Sequence, residues 1–168
     1  MKVVITGPFN TGKTTLIKTV SEGRVLSTEV SLREPVGDKK TTTVAFDFGK
    51  VKIRIKDVYL IGSPGQRRFS FMLDVLKEGA KALIFLIDEK YIKDPERIRD
   101  EYRRLKKYGK PIIIGVNKRE KEKKEDIDNI ISLVPKDSPV FVFSAKDRSS
   151  SLELISYTLN VIEKLRNE

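Results

Sequence analysis

The 168 residues carry 34 Lys and Arg against 24 Asp and Glu, a formal charge of +10, and contain neither Cys nor His. This length buries a sizeable core and suggests one domain across residues 1–168. The two missing residue types exclude a disulfide framework, a thiolate or imidazole metal site and a histidine general base. No apolar run approaches the roughly 18 residues of a membrane span, and no signal peptide or lipidation motif is visible, so a cytoplasmic protein without a lipid anchor is expected. Lys, Glu and Ile are abundant and Gln occurs once, at Gln66, a balance that fits a thermophile. That bias explains the charge; a polyanionic or membrane-surface partner is the sharper alternative.

The chain opens on an apolar run, Lys2 to Thr6, followed by Gly7-Pro8-Phe9-Asn10-Thr11-Gly12-Lys13-Thr14 and a helix-friendly run from Thr15 to Glu22. G-x-x-x-x-G-K-T between a strand and a helix is the pattern of a phosphate-binding loop. Its glycines let backbone N–H groups turn inward around a phosphate. Lys13 reaches the β- and γ-phosphates, and the Thr14 hydroxyl ligates Mg²⁺. Asn10, Thr11, Gly12, Lys13, Thr14 and Thr15 are the candidate phosphate-side residues. A tight strand-to-helix turn is the plain alternative.

The first helix is expected over about Gly12 to Glu22, with Gly23 as its C-cap. Val25 to Lys40, weakly periodic and holding Pro35 and Gly37, reads as a long, mobile loop of the functional kind. Thr43 to Ile53 and Asp57 to Ile61 leave no room for a helix between them and predict an antiparallel hairpin at the sheet edge. Gly62 to Gln66 is a turn, with a short helix from about Phe69 to Glu78. Lys81 to Asp88 and Pro111 to Asn117 are continuous apolar runs, as buried parallel strands are. Between them, Asp94 and Pro95 start a helix that reaches about Tyr108. Lys118 to Lys124 is a charged loop, Glu125 to Leu133 a short helix, and Pro139 to Phe143 the last strand. Ser150-Ser151-Leu152-Glu153 reads as a capping box for a final helix to about Arg166. This alternation predicts an α/β fold: a doubly wound P-loop sheet, mostly parallel with one antiparallel edge strand from about Thr43, and helices on both faces. Nucleotide then binds at the carboxyl ends of the strands.

Four later stretches complete a constellation: Thr41-Thr42-Thr43-Val44-Ala45-Phe46-Asp47-Phe48, Gly62-Ser63-Pro64-Gly65-Gln66, Asn117-Lys118-Arg119-Glu120 and Ser144-Ala145-Lys146. With the first loop, they make the whole chain resemble the Ras-like small GTPases, and among these the prokaryotic branch that includes the gliding-motility polarity GTPases. The resemblance implies that one threonine of the first stretch ligates Mg²⁺ and senses the γ-phosphate. The spacing T-x-x-x-D-F picks Thr43, with Thr42 as runner-up. Gly65 would donate its N–H to the γ-phosphate and Gln66 would orient the attacking water. Asn117 would tie the base loop to the phosphate loop, the Lys118 stem would cover the purine, and Glu120 would accept from guanine N1 and N2 where the family has aspartate. In S-A-K, the Ala145 N–H would bond guanine O6 and exclude adenine. The Lys146 stem would pack on the purine beside Ser144. Asp88 reads as structural, a partner for Lys118 or phosphate-loop amides.

The family's D-x-x-G reads here as Gly62-Ser63-Pro64-Gly65, so its acid is missing. Asp47 is one replacement. Four residues of strand span roughly 13 Å, so with Thr43 on the metal, Asp47 reaches the site only if the strand slides or the loop rearranges. Asp38 is a second candidate, and a metal shell completed by water a third.

The implied function is a Mg²⁺-dependent GTP-binding switch that slowly hydrolyses GTP to GDP and phosphate, with Lys13, Thr43 and Gln66 carrying the chemistry. Arg33, Arg67, Arg68 or a partner would supply any arginine finger. A protein effector or activator would act through Val25–Thr43 and Gly62–Glu78. Nucleic-acid binding is expected to be weak, because Arg97, Arg103, Arg104, Lys106 and Lys107 are interrupted by Glu96, Asp100 and Glu101. The alternatives are a P-loop nucleotide kinase and a GTP-binding interaction module without hydrolysis.

Overall fold

The computed structural model describes residues 1–33, 41–65, 70–91, 93–119 and 123–168, with backbone alone at 28–33, 41–45 and 89. Among these, seven strands form one sheet: β1 (Lys2–Thr6), β2 (Leu26–Arg33), β3 (Thr41–Ile53), β4 (Lys56–Gly62), β5 (Ala80–Ile87), β6 (Ile112–Asn117) and β7 (Val140–Phe143). Their order is β2-β3-β4-β1-β5-β6-β7. The pairs from β4 to β7 are parallel, and β3 runs against both its neighbours. The helices are α1 (Lys13–Val20), α2 (Met72–Leu76), α3 (Pro95–Lys106), α4 (Lys124–Ser132) and α5 (Arg148–Asn167), with a 3₁₀ turn at Glu89–Tyr91. This is the expected α/β P-loop fold.

The central strands read as continuous apolar runs because both of their faces are covered. Successive side chains point to opposite faces. Val3, Ile5, Ala82, Ile84 and Leu86 meet Leu16, Ile17 and Val20 of α1 and Leu154, Ile155 and Leu159 of α5. Val4, Leu83, Phe85, Ile87 and Ile114 meet Leu73 of α2, Ile98 and Leu105 of α3 and Ile127 and Ile130 of α4. The loops at the carboxyl ends of β1, β4, β5, β6 and β7 are thus gathered along one rim.

Three expectations need correction. Leu26–Arg33 is not loop: it forms β2, in an antiparallel ladder with β3 running from Leu26 opposite Phe48 to Arg33 opposite Thr41. The alternation Leu26, Thr28, Val30, Leu32 carried that signal, and β2 rather than β3 is the outer strand; residues 34–40 lie outside the described part. α5 begins at Arg148, where the Asp147 carboxylate accepts the Ser150 N–H at 2.8 Å, so the cap lies three residues before the expected one. α1 closes at Ser21, with Gly23 two residues beyond at φ 80°. By contrast, Asp94 caps α3, accepting from the Arg97 N–H, with Pro95 in the first turn. No helix among the described residues is long and apolar enough to cross a membrane.

Candidate functional site

The phosphate loop leaves β1 at Gly7 and enters α1 at Lys13. Gly7 takes φ 143°, and a Cβ there would lie 2.4 Å from the Leu86 carbonyl oxygen. Gly12 takes φ 99°, and a Cβ there would lie 2.5 Å from Asn117 Nδ2. Both positions therefore combine a left-handed backbone with close approach, which only glycine meets. Among the described residues no side chain caps α1, so its first N–H groups are open to an anion. The tip of the loop is held from outside. Tyr91 Oη donates to the Phe9 carbonyl at 3.2 Å, and Arg119 Nη2 donates to the Asn10 carbonyl at 2.7 Å.

Lys13 is only 8% exposed. Its Nζ donates to the Gly7 and Pro8 carbonyls at 2.8 and 2.6 Å, which folds it along the loop. Burial lowers its pKa from 10.5 to about 8, against the opposing pull of Glu101, Asp47 and Asp88. A polyphosphate placed beside it would reverse that shift.

On the base side, Asn117 ends β6 and joins two loops. Its Nδ2 donates to the Thr11 carbonyl at 3.0 Å and its Oδ1 accepts the Ala145 N–H at 3.0 Å. The amide expected to read guanine O6 is therefore bonded to Asn117 here, and that readout requires the bond to be shared or released. Two hydroxyls of α5 clamp the S-A-K loop: Ser150 Oγ accepts the Ser144 N–H at 3.0 Å, and Ser151 Oγ donates to the Ser144 carbonyl at 2.9 Å. Asp88, fully buried, pairs with Arg119 at 2.8 Å rather than with Lys118. A buried carboxylate needs such a partner. Lys118 instead donates its backbone N–H to the Phe143 carbonyl, and its side chain is exposed, as is that of Lys146.

On the metal side, Thr14 Oγ1 donates to Asp47 Oδ2, and Ser27 Oγ donates to Asp47 Oδ1 at 3.0 Å. Asp47 thus meets the first turn of α1 without any slide of β3. The reason is register, which sets Asp47 directly opposite Gly62. Thr43 lies opposite Ser31, four residues and roughly 13 Å of strand away from Asp47. The structure does not bring these two residues together. A cleft of about 310 Å³ opens between the phosphate loop, Asp47 and Gly62–Gly65. Its hydroxyl and carboxylate are hard oxygen donors of the kind Mg²⁺ selects, so the residues present fit that ion. No group of three or more His, Cys, Asp or Glu is poised for a metal among the described residues. Nucleotide oxygens and water would have to complete the shell.

Lys13, Thr14, Thr15, Asn10, Gly12 and Gly65 line this one cleft. Thr11, buried, sits behind it with its hydroxyl on the Pro8 carbonyl. Gln66, Arg67, Arg68, Glu120 and Asp38 lie outside the described residues, and Thr42, Thr43 and Arg33 are placed by backbone alone. Sequence reasoning missed Tyr91, Ser27, the loop-clamping serines and the Arg119–Asp88 pair. For Arg119 the signal was its place between Lys118 and Glu120, two residues past a buried strand end.

A protein-family model described as 50S ribosome-binding GTPase matches residues 2–118. An uncharacterized protein of Methanocaldococcus jannaschii is 31% identical over 90 residues, 52% of this chain and 51% of its own length. The chain thus spans about half of that relative. Among solved structures, the Arl6/BBS3 small GTPase of Trypanosoma brucei with bound GppNp matches with a TM-score of 0.69 at 17% identity, over 98% of both chains. The translation elongation factor SelB of Methanococcus maripaludis, in complex with the GTP analogue GppNHp, matches with the same score and identity over 98% of this chain and 34% of its own. These structural likenesses concern the fold. The family model covers more than half of the residues, from β1 through the Asn117-Lys118 pair, so the chain belongs to the 50S ribosome-binding GTPase family.

Proposed function

We propose that this chain is a Mg²⁺-dependent GTP-binding switch, a single G domain over residues 1–168 that hydrolyses GTP slowly to GDP and phosphate. The observation that carries the reading is Asn117, whose side chain joins the Thr11 carbonyl of the phosphate loop to the Ala145 N–H of the S-A-K loop. A P-loop nucleotide kinase needs the phosphate loop but has no use for that bridge to a base loop. In this reading the open amides of α1 and the Lys13 ammonium hold the β- and γ-phosphates. Lys118 and Lys146 cover the purine faces, and Glu120 accepts from guanine N1 and N2. Thr14 and Thr43 would hold Mg²⁺, which supplies neutralisation of the charge developing on the β–γ bridge. Gly65 donates to the γ-phosphate, and Gln66 orients the water that attacks it. Thr43 reaches the phosphate only when the start of β3 leaves its ladder with β2, which makes that stretch the nucleotide-sensing element.

The outer strand β2 and the segment Gly62–Glu78 are the proposed contact surface for an effector or activator. A cytoplasmic location, a thermophilic source and a place near the prokaryotic branch belong to the same proposal. The basic residues of α3 are interleaved with acids, as in Arg99–Glu96 at 2.7 Å and Arg103–Asp100 at 3.0 Å, which favours weak, salt-dependent nucleic-acid binding. Single-turnover hydrolysis tests the proposal. Wild-type protein should convert bound GTP to GDP only with Mg²⁺, and Gln66→Leu should bind GTP as tightly while hydrolysing it more slowly. Binding without hydrolysis in both proteins would leave an interaction module instead.

A further inference from the structure

Gly62 stands where the D-x-x-G pattern of the Ras-like GTPases that the sequence resembles has its acid, and it has no side chain to offer. We infer that Asp47, one strand over on β3, supplies the carboxylate of the divalent-cation site, an inference that rests on the GTP-binding reading above.

Register is the first argument. Asp47 and Gly62 are direct cross-strand partners, and a Cβ built on Gly62 lies 3.6 Å from the Asp47 Cβ. The two positions present side chains to the same volume, where two acids would meet as like charges. An acid at 47 and a glycine at 62 therefore form a matched pair. Hydrogen bonding is the second argument. The Thr14 hydroxyl, the side chain that the phosphate-loop pattern assigns to the cation, gives its proton to Asp47 Oδ2. A hydroxyl so bonded turns its lone pairs outward and becomes a stronger ligand. Ser27 Oγ fixes the other carboxylate oxygen at 3.0 Å, so the carboxylate is oriented from two elements. The consequence is mechanical: the metal's acid rides on β3 with Thr43, and through Ser27 on β2, rather than on the strand that leads into Gly62–Gly65.

The test uses the full chain and reads release of a fluorescent GDP across a Mg²⁺ titration, with EDTA as the metal-free limit. Mn²⁺ bound by the nucleotide complex, followed by electron paramagnetic resonance, is a second readout that involves no turnover. Asp47→Asn, which keeps the shape, should weaken Mg²⁺ in the complex by about 10–100-fold while leaving release in EDTA unchanged. The double variant Asp47→Ala/Gly62→Asp, which moves the acid back across the ladder, should recover Mg²⁺ dependence lost in Asp47→Ala. Wild-type Mg²⁺ dependence in Asp47→Asn, or a folded double variant no better than Asp47→Ala, overturns the inference while leaving the GTP-binding reading in place. If the wild-type protein retains no guanine nucleotide in either condition, that reading falls and this inference with it.

Discussion

The two sides of the candidate site are built differently. On the base side, the bonds run from side chains to backbone groups and are shielded: Asn117 to Thr11 and Ala145, Ser151 to Ser144. On the metal side they run between side chains of different elements, open to solvent: Thr14 to Asp47 and Ser27 to Asp47. A hydrogen bond in water contributes little net, whereas a buried group left without its partner costs the full desolvation of that group. The base side is therefore fixed before any nucleotide arrives. On the proposed reading, the metal side would gain its strength only when phosphate and cation fill it.

Lys13 belongs to the phosphate loop that both sides contact, through Thr11 and Thr14, and removing it breaks the contrast most severely. Lys13→Ala should weaken GTP by more than about 100-fold, since a charge-assisted contact of about 3 kcal/mol or more is lost; equilibrium binding checks it, and unchanged affinity would deny the phosphate loop its role. Asn117→Ala should destabilise the nucleotide-free protein by about 2–4 kcal/mol in a denaturant titration, because the Thr11 carbonyl and the Ala145 amide are both left buried without a partner. A loss below about 0.5 kcal/mol would mean that the base side is not preformed.

The pH dependence sharpens the same contrast. The folded protein holds the Lys13 proton only to about pH 8, and an ordinary lysine holds it to 10.5. Between those values the unfolded chain carries more protons, so stability rises with pH across that window, by up to about 3 kcal/mol. Bound GTP should remove the rise by holding the ammonium charged, and proton uptake on binding near pH 9 is measurable by calorimetry in buffers of different ionisation heat. The smallest effect is expected at Ser27→Ala. It should leave stability within about 0.5 kcal/mol and loosen Mg²⁺ dependence only a few-fold, because the bond it removes is exposed.

This difference also explains what could be read from the sequence. The base side is written in contiguous motifs, each following an apolar strand, so Asn117, Ala145 and the phosphate loop were legible as N-K-x-[DE], S-A-K and G-x-x-x-x-G-K-T. The sheet was legible for the same reason: Ala82–Ile87 and Ile112–Val116 are unbroken apolar runs buried on both faces. Asp47 was visible as a residue but not as a neighbour of Thr14. Its place depends on the register between β3 and β4, and a slip of one residue turns a side chain to the other face. β2 was missed because its alternation runs straight into Pro35 and Gly37, which made the whole of Val25 to Lys40 read as loop. Ser150 looked like a cap because a serine three residues before a glutamate usually is one; here Asp147 caps first and frees the hydroxyl for the S-A-K loop.

The claim that a preformed base side selects guanine is tested most directly by competition for the purified protein, stripped of nucleotide and loaded with labelled GTP in the presence of Mg²⁺. Unlabelled GTP and GDP should displace the label while excess ATP does not. Displacement by ATP at the same concentration as GTP would contradict the reading of Asn117, Glu120 and Ala145 as a guanine site.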